Sequence, residues 1–378
     1  MGKVFAQVTR NDKYAQTIVP KRIERHGEKA LNALLAEFGQ IHKHDTFTPQ
    51  FANKLTAEQR NQALQIITMI KEKRCGKVKA RACADGRKQR KYIKKDDVSS
   101  PTVQQESLII SMMIDAKEGR DVATADIVGA YLLAQMNDYV LVKLTGKPVE
   151  TMCIISDTYK QYVTLENGKK VLYLRLKKAL YGCMQSAILW YDTFKGCLED
   201  LGFKINKYDP CVANMMIGGK QCTICWYVDD TKISHHEPKI VTEVISKIEE
   251  RFGKMVVTRG KKHNFVGMDV EFMDNGTVKI LMKEYITECF EAFGEQIDKK
   301  ASTPGKHNLF EIKEASSPLN EDKMETFHHI VAKLLYVSKR ARVDIDLVVS
   351  YLCTRVSCSD DDDWEKLRRL LHYLHTTI

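Results

Sequence analysis

Two neighbouring carboxylates at a predicted turn carry the clearest chemical signal in the sequence. Asp229 and Asp230 follow the apolar run ICWYV and precede the short run TKIS, so these runs are predicted to be the two strands of a hairpin. Carboxylates held side by side repel each other, and a divalent cation relieves that repulsion. The pair therefore indicates a metal site.

Asp126 is a third carboxylate in a similar position. It ends the strand pattern DVATAD and precedes IVGAYL, which is predicted to turn into a helix. If its strand is a neighbour of the hairpin, the three carboxylates can hold two Mg²⁺ ions, which prefer oxygen ligands. Two such ions can hold the attacking and leaving oxygens of phosphoryl transfer. The pattern alone leaves several enzyme classes open, including metal-dependent nucleases and phosphohydrolases.

The remaining acidic clusters need no metal. The run from Asp360 to Asp363 precedes an apolar helical pattern, so it is predicted to cap the N-terminus of that helix. Asp96 and Asp97 follow lysines in a polar loop and need no special role.

The positive charge is concentrated near the N-terminus. Residues 1–100 carry 22 basic and 10 acidic side chains, and segment 71–95 alone carries twelve basic and two acidic ones. We interpret this segment as a surface for phosphate groups, where contacts release counterions. A solvated basic face and a nuclear-import patch are the alternatives. Acidic substrates or a nucleic acid are the expected partners.

The composition predicts a folded chain of two or three subdomains. The 378 residues are 44% hydrophobic and 29% charged, with 8 Pro and 20 Gly, which excludes a disordered or collagenous chain. No apolar run reaches the roughly 18 residues of a membrane span, and no secretory signal is evident. We expect a soluble intracellular protein. The eleven cysteines show no disulfide framework, and Cys222 and Cys225 are expected to pack inside a strand.

Hydrophobic periodicity predicts mixed α and β structure followed by a helical C-terminal region. A capping box from Thr56 to Gln59 is predicted to open the second helix, Asp85-Gly86 to form a hairpin turn, and residues 301–319 to form a linker. Helices are predicted over 26–39, 56–74, 104–119, 185–201, 238–252, 327–337, 343–357 and 362–375. Strands are predicted over 80–84, 121–126, 139–144, 211–217, 221–228, 231–235, 263–273 and 277–282.

The motifs resemble those of the reverse transcriptases of Ty1/copia-type LTR retrotransposons. DIVGAY, from Asp126 to Tyr131, is similar to the first polymerase motif, and YVDD, from Tyr227 to Asp230, to the Tyr-x-Asp-Asp motif of the palm hairpin. Between them, LKKALYGCMQSAILWY at 176–191 is similar to a characteristic copia segment.

Three further segments extend the resemblance over about residues 79–374. KARACADGRKQRK at 79–91 resembles the strand that opens the fingers, and NFVGMDVEF at 264–272 resembles the primer-grip hairpin. Residues 334–374 are similar to the region after the copia polymerase. The sequence departs from the family pattern at Met184, Ala187 and Ile188, where Lys, Pro and Arg are usual.

The resemblance implies an α+β right-hand polymerase, with fingers, a palm built on an antiparallel sheet with helices, and a helical thumb and connection region. Residues 1–58 would be an N-terminal helical extension, 59–273 the fingers and palm, and 274–378 the thumb and connection. We expect no ribonuclease H domain within these 378 residues. The implied activity is RNA-directed DNA polymerisation, in which deoxynucleotides are added to a primer and pyrophosphate is released.

The resemblance also implies the metal ligands. Asp126, Asp229 and Asp230 would hold two Mg²⁺ ions, or Mn²⁺ in their place, with the carbonyl of Ile127 as a further ligand. One ion would lower the pKa of the primer 3′-hydroxyl, and the other would hold the triphosphate and the leaving pyrophosphate.

Substrate contacts are implied in the same way. Tyr131 would lie under the incoming sugar and exclude a 2′-hydroxyl, a role that its offset from Asp126 favours over the alternative of an ordinary core aromatic. Gly182 would let template and nucleotide approach the backbone, and Gln185 would open the supporting helix. Lys79 or Arg81 would touch the triphosphate from the fingers.

A hairpin would position the primer terminus through four residues: Phe265, Val266, Gly267 and Met268. A plain structural hairpin is the alternative for this segment. Lys261 or Lys262 would protonate pyrophosphate, although both could be ordinary surface lysines.

The implied partners are an RNA or DNA template with its primer strand, deoxynucleoside triphosphates, and the ribonuclease H and integrase parts of the same polyprotein, with no membrane. The implied location is the cytoplasm, in a virus-like particle, or the nucleus. The main alternative is a catalytically inactive remnant or domesticated protein that only binds nucleic acid. A structural polyprotein segment is a further alternative.

Overall fold

A computed structural model describes residues 19–72, 76–94 and 98–378 of the chain. Within them, helices and mostly antiparallel strands are mixed along the chain and helices dominate the C-terminal part, which confirms the predicted α+β class. The α-helices are α1 Val19–Lys43, α2 Ala57–Gln62, α3 Gln105–Glu118, α4 Lys147–Ile155, α5 Ser186–Asp200, α6 Pro238–Phe252, α7 Lys283–Phe293, α8 Glu321–Ser338, α9 Asp346–Arg355 and α10 Asp361–Thr377. None of the helices in these ranges is long and apolar enough to cross a membrane.

The strands form three sheets. They are β1 Phe47–Gln50, β2 Leu64–Glu72, β3 Val78–Ala84, β4 Asp121–Asp126, β5 Leu141–Thr145, β6 Thr164–Glu166, β7 Lys169–Leu176, β8 Lys204–Ile205, β9 Val212–Ile217, β10 Lys220–Tyr227, β11 Asp230–His235, β12 Val256–Arg259, β13 Lys262–Phe265, β14 Met268–Phe272 and β15 Val278–Leu281. The N-terminal sheet has the order β1-β7-β5-β2-β3, with β6 beside β7. The central sheet has the order β12-β4-β11-β10-β9-β8, and the small sheet is β13-β14-β15.

An aromatic core fixes α5 and α6 to the central sheet. Trp190 and Phe194 of α5 pack on each other with ring centroids 5.6 Å apart, and Trp190 meets Phe252 of α6 at 5.2 Å. Phe194 also meets Trp226 of β10 at 5.5 Å. Aromatic side chains bury large apolar areas, so this cluster is expected to hold β10 in place.

Helix α1 packs against strands β2 and β3 of the N-terminal sheet. Ala30, Leu34, Phe38 and Ile41 recur at helical spacing and are fully or almost fully buried. On the same helix, the carboxylate of Glu37 accepts a hydrogen bond from the N–H of Ala82 in β3 at 2.9 Å. The helix thereby sets the position of β3.

The C-terminal helices pack together and onto the small sheet. Phe327, Ile330 and Leu334 of α8 are fully buried, and Phe293 of α7 stacks on Trp364 of α10 with centroids 4.6 Å apart. Asp360 forms the predicted cap of α10, with a capping box that includes Asp363. The corresponding box of Thr56 and Gln59 on α2 is also present.

Three predicted elements are wrong. The helix expected over 56–74 ends at Gln62 and continues as β2, because its buried residues alternate at Leu64, Ile66, Thr68 and Ile70. Asp85 and Gly86 open a short 3₁₀ helix instead of a hairpin, since the Asp85 side chain accepts from the N–H of Arg87.

The single strand that periodicity predicts over 263–273 is wrong, because the segment forms the hairpin β13–β14 with Val266 and Gly267 in its turn. The hairpin that the family resemblance implies at 264–272 is present. The linker expected over 301–319 contains no helix or strand, but its residues Ala301, Leu309 and Leu319 are buried against the C-terminal helices. Cys222 and Cys225 pack fully buried inside β10, as predicted. Asp96 and Asp97 lie outside the described residues.

Behind the central sheet, a buried ion pair joins β11 to α3. The ammonium of Lys232 contacts the carboxylate of Asp115, and neither side chain reaches solvent. Arg120 lies 3.8 Å from the same carboxylate. Buried charges are tolerated only when paired, so each of these groups depends on the others.

Lys232→Met is expected to lower the free energy of unfolding by about 3 to 5 kcal/mol, because it removes the nearest partner of a charge buried in a dry interior. Lys232→Met combined with Asp115→Leu should recover most of that loss, since the pair is then replaced by apolar groups. Urea unfolding of both variants measures the difference. Equal losses in the two variants would contradict this account.

Candidate active site

The turn between β10 and β11 presents the paired carboxylates. Tyr227 and Asp230 are register partners, so Val228 and Asp229 form the turn itself. Val228 has a φ of +59°, which a β-branched residue rarely adopts. The indole N–H of buried Trp190 donates to the carbonyl of Val228 at 2.7 Å. Helix α5 therefore supports an unfavourable backbone conformation at this turn.

Strand β4 places Asp126 next to the same turn. Asp126 is the register partner of Asp230 in the antiparallel pair of β4 and β11. Directly opposed residues of such a pair have Cβ atoms about 5 Å apart on one face of the sheet. The N–H of Ile127 donates to the carbonyl of Asp229 at 3.1 Å, which ties the end of β4 to the turn. The three predicted carboxylates are thus brought together by backbone pairing.

Asp229 and Asp230 have raised pKa values because they lie in a partly buried region close to Asp126. Burial raises the pKa of Asp230 to about 6, and the charges of Asp229 and Asp126 add to the effect. Burial also raises the pKa of Asp229, as does Asp126, while the backbone N–H of Asp229 and the positive charges of Arg81 and Lys79 lower it.

The chemistry of this donor set fits hard divalent cations. Carboxylate oxygens are the ligands that Mg²⁺ and Mn²⁺ prefer, and burial followed by mutual repulsion raises the pKa values of Asp229 and Asp230. In the described part of the chain, no three His, Cys, Asp or Glu side chains are already arranged around one metal position. The fit therefore rests on the donors and their electrostatics.

Strand β3 brings two cations towards the carboxylates. Lys79 and Arg81 are exposed and two residues apart, so they point to the same face of the strand. The positive charges of both side chains lower the pKa of Asp229. The guanidinium carbon of Arg81 lies 5.3 Å from the ring centroid of Tyr181, which is a cation–π contact.

Tyr131 and Tyr181 form an aromatic pair beside Asp229. Their ring centroids are 4.6 Å apart, and Tyr131 belongs to the short 3₁₀ helix Ala130–Leu133 that follows β4. Burial raises the pKa of Tyr131 to about 12, with a further contribution from Asp229. Burial and Asp229 also raise the pKa of Tyr181. Both hydroxyls are therefore protonated at neutral pH.

Gly182 and Gln185 are engaged with neighbouring protein groups. Gly182 has a φ of +89°, and an added Cβ would collide with the carbonyl of Ala84 at the end of β3. Gln185 precedes α5 directly, its amide donates to Asp138 at 2.9 Å, and its oxygen accepts from Gln89 at 2.8 Å. The side chains of both glutamines are buried. These contacts fix the segment between β3 and α5.

The β13–β14 hairpin contains the four residues predicted to position a primer. Phe265 and Met268 are buried, whereas Val266 and Gly267 form a two-residue turn with φ values of +49° and +72°. Positive φ at both turn residues is the pattern of the tight hairpins that match strand twist. The hydroxyl of Tyr336 in α8 donates to the carbonyl of Val266 at 2.9 Å.

The hairpin is joined to strand β4 as well as to the C-terminal helices. His263 of β13 shares a hydrogen bond of 3.1 Å with Thr124 of β4, two residues before Asp126. Lys261 is paired with Asp274, and Lys262 lies 3.2 Å from Glu271. Both lysines are thus engaged in ion pairs along the small sheet.

Comparison with known families identifies the chain. The profile of the family described as "Reverse transcriptase (RNA-dependent DNA polymerase)" matches residues 54–305. The chain belongs to the reverse transcriptase family. Members of this family are nucleotidyltransferases by description, and the Ty1/copia resemblance seen in the sequence is confirmed by the relatives.

The relatives are much longer polyproteins. The Transposon Ty1-BR Gag-Pol polyprotein of Saccharomyces cerevisiae is 22% identical over an alignment that covers 97% of this chain and 20% of that polyprotein. The Transposon Ty1-NL2 Gag-Pol polyprotein of the same organism is 23% identical, covering 91% of this chain and 19% of its own length. This reverse transcriptase chain thus spans about a fifth of the polyproteins it matches.

Solved structures are related more distantly. A foamy viral protease-reverse transcriptase in complex with double-stranded DNA is 10% identical, with a TM-score of 0.43, over 88% of this chain and 45% of that one. A telomerase from Candida albicans is 12% identical, with a TM-score of 0.37, over 92% of this chain and 65% of that one.

The structure reveals three residues at the site that the sequence reasoning did not select. Tyr181 contacts both Tyr131 and Arg81, and Trp190 supports the turn between β10 and β11. Tyr181 and Trp190 lie inside the copia-like segment 176–191, so the resemblance already indicated the importance of their segment. Arg340 lies over the ring of Tyr336 at 3.5 Å, and its charge lowers the pKa of Tyr227, which burial raises. Arg340 lies inside the family-like segment 334–374, but no residue pattern there distinguished it from its neighbours.

The pKa of Asp230 predicts how the stability of the metal-free reverse transcriptase depends on pH. The folded protein keeps this proton up to about pH 6, whereas the unfolded chain loses it near 3.8. Between about pH 3.8 and about pH 6 the folded state binds more protons than the unfolded chain, so the free energy of unfolding should fall as the pH rises through this range. Asp230→Asn should make this decrease smaller, and the raised pKa of Asp229 contributes the part that remains.

Urea unfolding in the presence of a chelator, from about pH 4 to about pH 7, measures the effect. Asp192→Asn is the matched control, since Asp192 is exposed on α5 and carries the same chemical change. If wild type and Asp230→Asn lost stability equally over this range, the raised pKa would be refuted.

Proposed function

We propose that this reverse transcriptase chain is an RNA-directed DNA polymerase that adds deoxynucleotides to a primer 3′ end and releases pyrophosphate. One observation carries the proposal: the register of β4 and β11 sets Asp126 opposite Asp230, with Asp229 in the adjoining turn. Separate segments of the chain thus supply a carboxylate cluster beside two cations of β3. Family membership supports this reaction class.

The carboxylates would hold the catalytic metals. We propose Asp126, Asp229 and Asp230 as ligands of two Mg²⁺ or Mn²⁺ ions, with the carbonyl of Ile127 as an additional ligand. The chemistry supplied by such bound ions is activation of the primer 3′-hydroxyl and stabilisation of the charge on the triphosphate. The protein supplies the fixed geometry, since backbone pairing sets the spacing of the ligands.

The incoming nucleotide would lie between β3 and the tyrosine pair. Lys79 and Arg81 would neutralise the triphosphate, and Tyr131 would face the sugar and exclude a 2′-hydroxyl. Tyr181 would hold Arg81 and the ring of Tyr131 in place, because it contacts both. Gly182 and Gln185 would shape the nucleotide site through their backbone, since the side chain of Gln185 is already hydrogen-bonded to Asp138 and Gln89.

The primer terminus would rest on the β13–β14 hairpin, whose residues are Phe265, Val266, Gly267 and Met268. Buried Phe265 and Met268 anchor the turn, and Val266 and Gly267 would meet the primer backbone. We assign no proton transfer to Lys261 or Lys262, because both are paired with carboxylates. Arg340 would contact a primer phosphate from the helical side.

The remaining assignments follow from the family context. Residues 1–58 would be an N-terminal extension, 59–273 the fingers and palm, and 274–378 the thumb and connection. The partners would be an RNA or DNA template with its primer, and the ribonuclease H and integrase parts of one polyprotein. The site of action would be a cytoplasmic virus-like particle, or the nucleus.

Asp126→Asn and Asp229→Asn are each expected to reduce primer extension by about 10³-fold or more, because each removes a metal ligand at the reacting centre. Extension of a DNA primer on an RNA template with Mg²⁺ measures the rate. Asp192→Asn, which makes the same change on the surface of α5, should extend as wild type does. No incorporation by well-folded wild type would favour an inactive nucleic-acid-binding remnant.

Tyr131→Val is expected to admit ribonucleotides, because the ring that excludes the 2′-hydroxyl is gone. Discrimination between deoxynucleotide and ribonucleotide should fall by about tenfold or more. Single-nucleotide insertion kinetics with both sugars measure the ratio. Tyr131→Phe keeps the ring and should keep the selectivity, so a loss in both variants or in neither would refute this role.

A further inference from the structure

A basic pocket lies between the irregular segment 299–313 and helix α10. Its volume is about 390 Å³, and it shares no residue with the carboxylate cluster, the tyrosine pair or the β13–β14 hairpin. We name it the basic pocket. Its lining contains seven cations, one histidine and two acids. They are Lys299, Lys300, Lys306, Lys313, Lys366, Arg368, Arg369, His372, Asp362 and Glu365.

The positive charge of the basic pocket is only partly neutralised. Lys313 and Lys366 are paired with Asp362, and Arg368 is paired with Glu365 and with Glu295 outside the lining. The other four lining cations, Lys299, Lys300, Lys306 and Arg369, have no carboxylate partner in the part of the chain that the structure describes. Seven lining cations against Asp362, Glu365 and the neighbouring Glu295 leave a formal charge of +4 at one concave surface.

Arg369 offers an unsatisfied donor at the same place. One terminal nitrogen of its guanidinium donates to the hydroxyl of Thr303 at 2.9 Å. Its buried Nε has no hydrogen-bond partner among the described residues. Because this Nε has almost no solvent-accessible surface, a ligand in the open basic pocket can reach only the terminal nitrogens of the guanidinium.

The walls of the basic pocket are held by contacts that do not depend on a ligand. The N–H of Lys299 donates to Nδ1 of His372 at 3.2 Å, which ties the irregular segment to α10. Trp364, about two turns before His372 on α10, stacks on Phe293 and donates to Glu295 at 2.8 Å. A ligand would therefore enter a cavity that is already formed, at little cost in ordering.

We propose that the basic pocket binds a group of neighbouring phosphates. Neighbouring phosphates can neutralise several of these cations at once, whereas a single carboxylate would neutralise only one. Guanidinium groups match phosphate oxygens in a two-point geometry, and lysines add point charges around them. The volume is of the order that holds a compact ligand of two or three phosphates.

The phosphates can come from two sources with the same chemistry: the backbone of a nucleic-acid strand or a free oligophosphate. The proposal does not rest on polymerase activity, because binding is measured without catalysis. The probes are inorganic tripolyphosphate and a short single-stranded DNA, each titrated calorimetrically into the full chain. The salt dependence of DNA binding is measured in parallel.

Arg369→Gln and Lys300→Gln test the basic pocket, and Lys247→Gln is the matched control. Lys247 is exposed on α6, outside the lining, so its substitution removes one surface charge and leaves the basic pocket intact. Lys300 is itself exposed, so its substitution leaves the folded core untouched. Arg369→Lys keeps the charge but removes the planar fork of donors.

Each test substitution is expected to weaken binding of the occupying ligand by about tenfold relative to Lys247→Gln. Weaker tripolyphosphate binding with unchanged DNA binding identifies a free oligophosphate. Weaker DNA binding identifies a nucleic-acid backbone if the slope of log affinity against log salt concentration also becomes smaller in magnitude by about one. The affinity of Arg369→Lys for the occupying ligand should lie between the affinities of wild type and Arg369→Gln. Affinities for both probes that match the control in every variant would overturn the proposal.

Discussion

The register of one antiparallel strand pair is the constraint on which the rest of the site depends. Pairing of β4 with β11 sets Asp126 opposite Asp230, and the bond from Ile127 to Asp229 adds the third carboxylate. Like charges are thereby held together in a partly buried region, which is unfavourable in the absence of a cation. The aromatic core under β10 and the Lys232–Asp115 pair behind β11 oppose this repulsion by fixing the strands.

The other parts of the site are connected to that strand pair by short contacts. Trp190 supports the turn, His263 joins the β13–β14 hairpin to Thr124 of β4, and Glu37 positions β3 with its two cations. The surfaces proposed for nucleotide and primer therefore belong to separate sheets, of which the small sheet is joined directly to β4. A change in the position of β4 would displace the carboxylates and the β13–β14 hairpin together.

The sequence predicted the carboxylate hairpin well because its signals are local. The apolar runs before Asp126 and Asp229 have the residue types of strands, and Thr56 and Asp360 carry complete capping patterns. Strand β2 was missed because Leu64, Ile67 and Ile70 also fit a helical face, and only the pairing with β3 decides between the two. Arg340 and the basic pocket could not be predicted, since each depends on segments that meet only in the fold.

The account can be tested most directly by anomalous diffraction from crystals soaked with Mn²⁺ in the presence of a primer–template and a non-hydrolysable deoxynucleotide. It predicts a manganese peak within ligand distance, about 2 Å, of carboxylate oxygens from both Asp126 and Asp229. The claim that this strand pair builds the catalytic centre would be contradicted if manganese were coordinated by residues of only one strand. Manganese located elsewhere in well-ordered crystals would also contradict it.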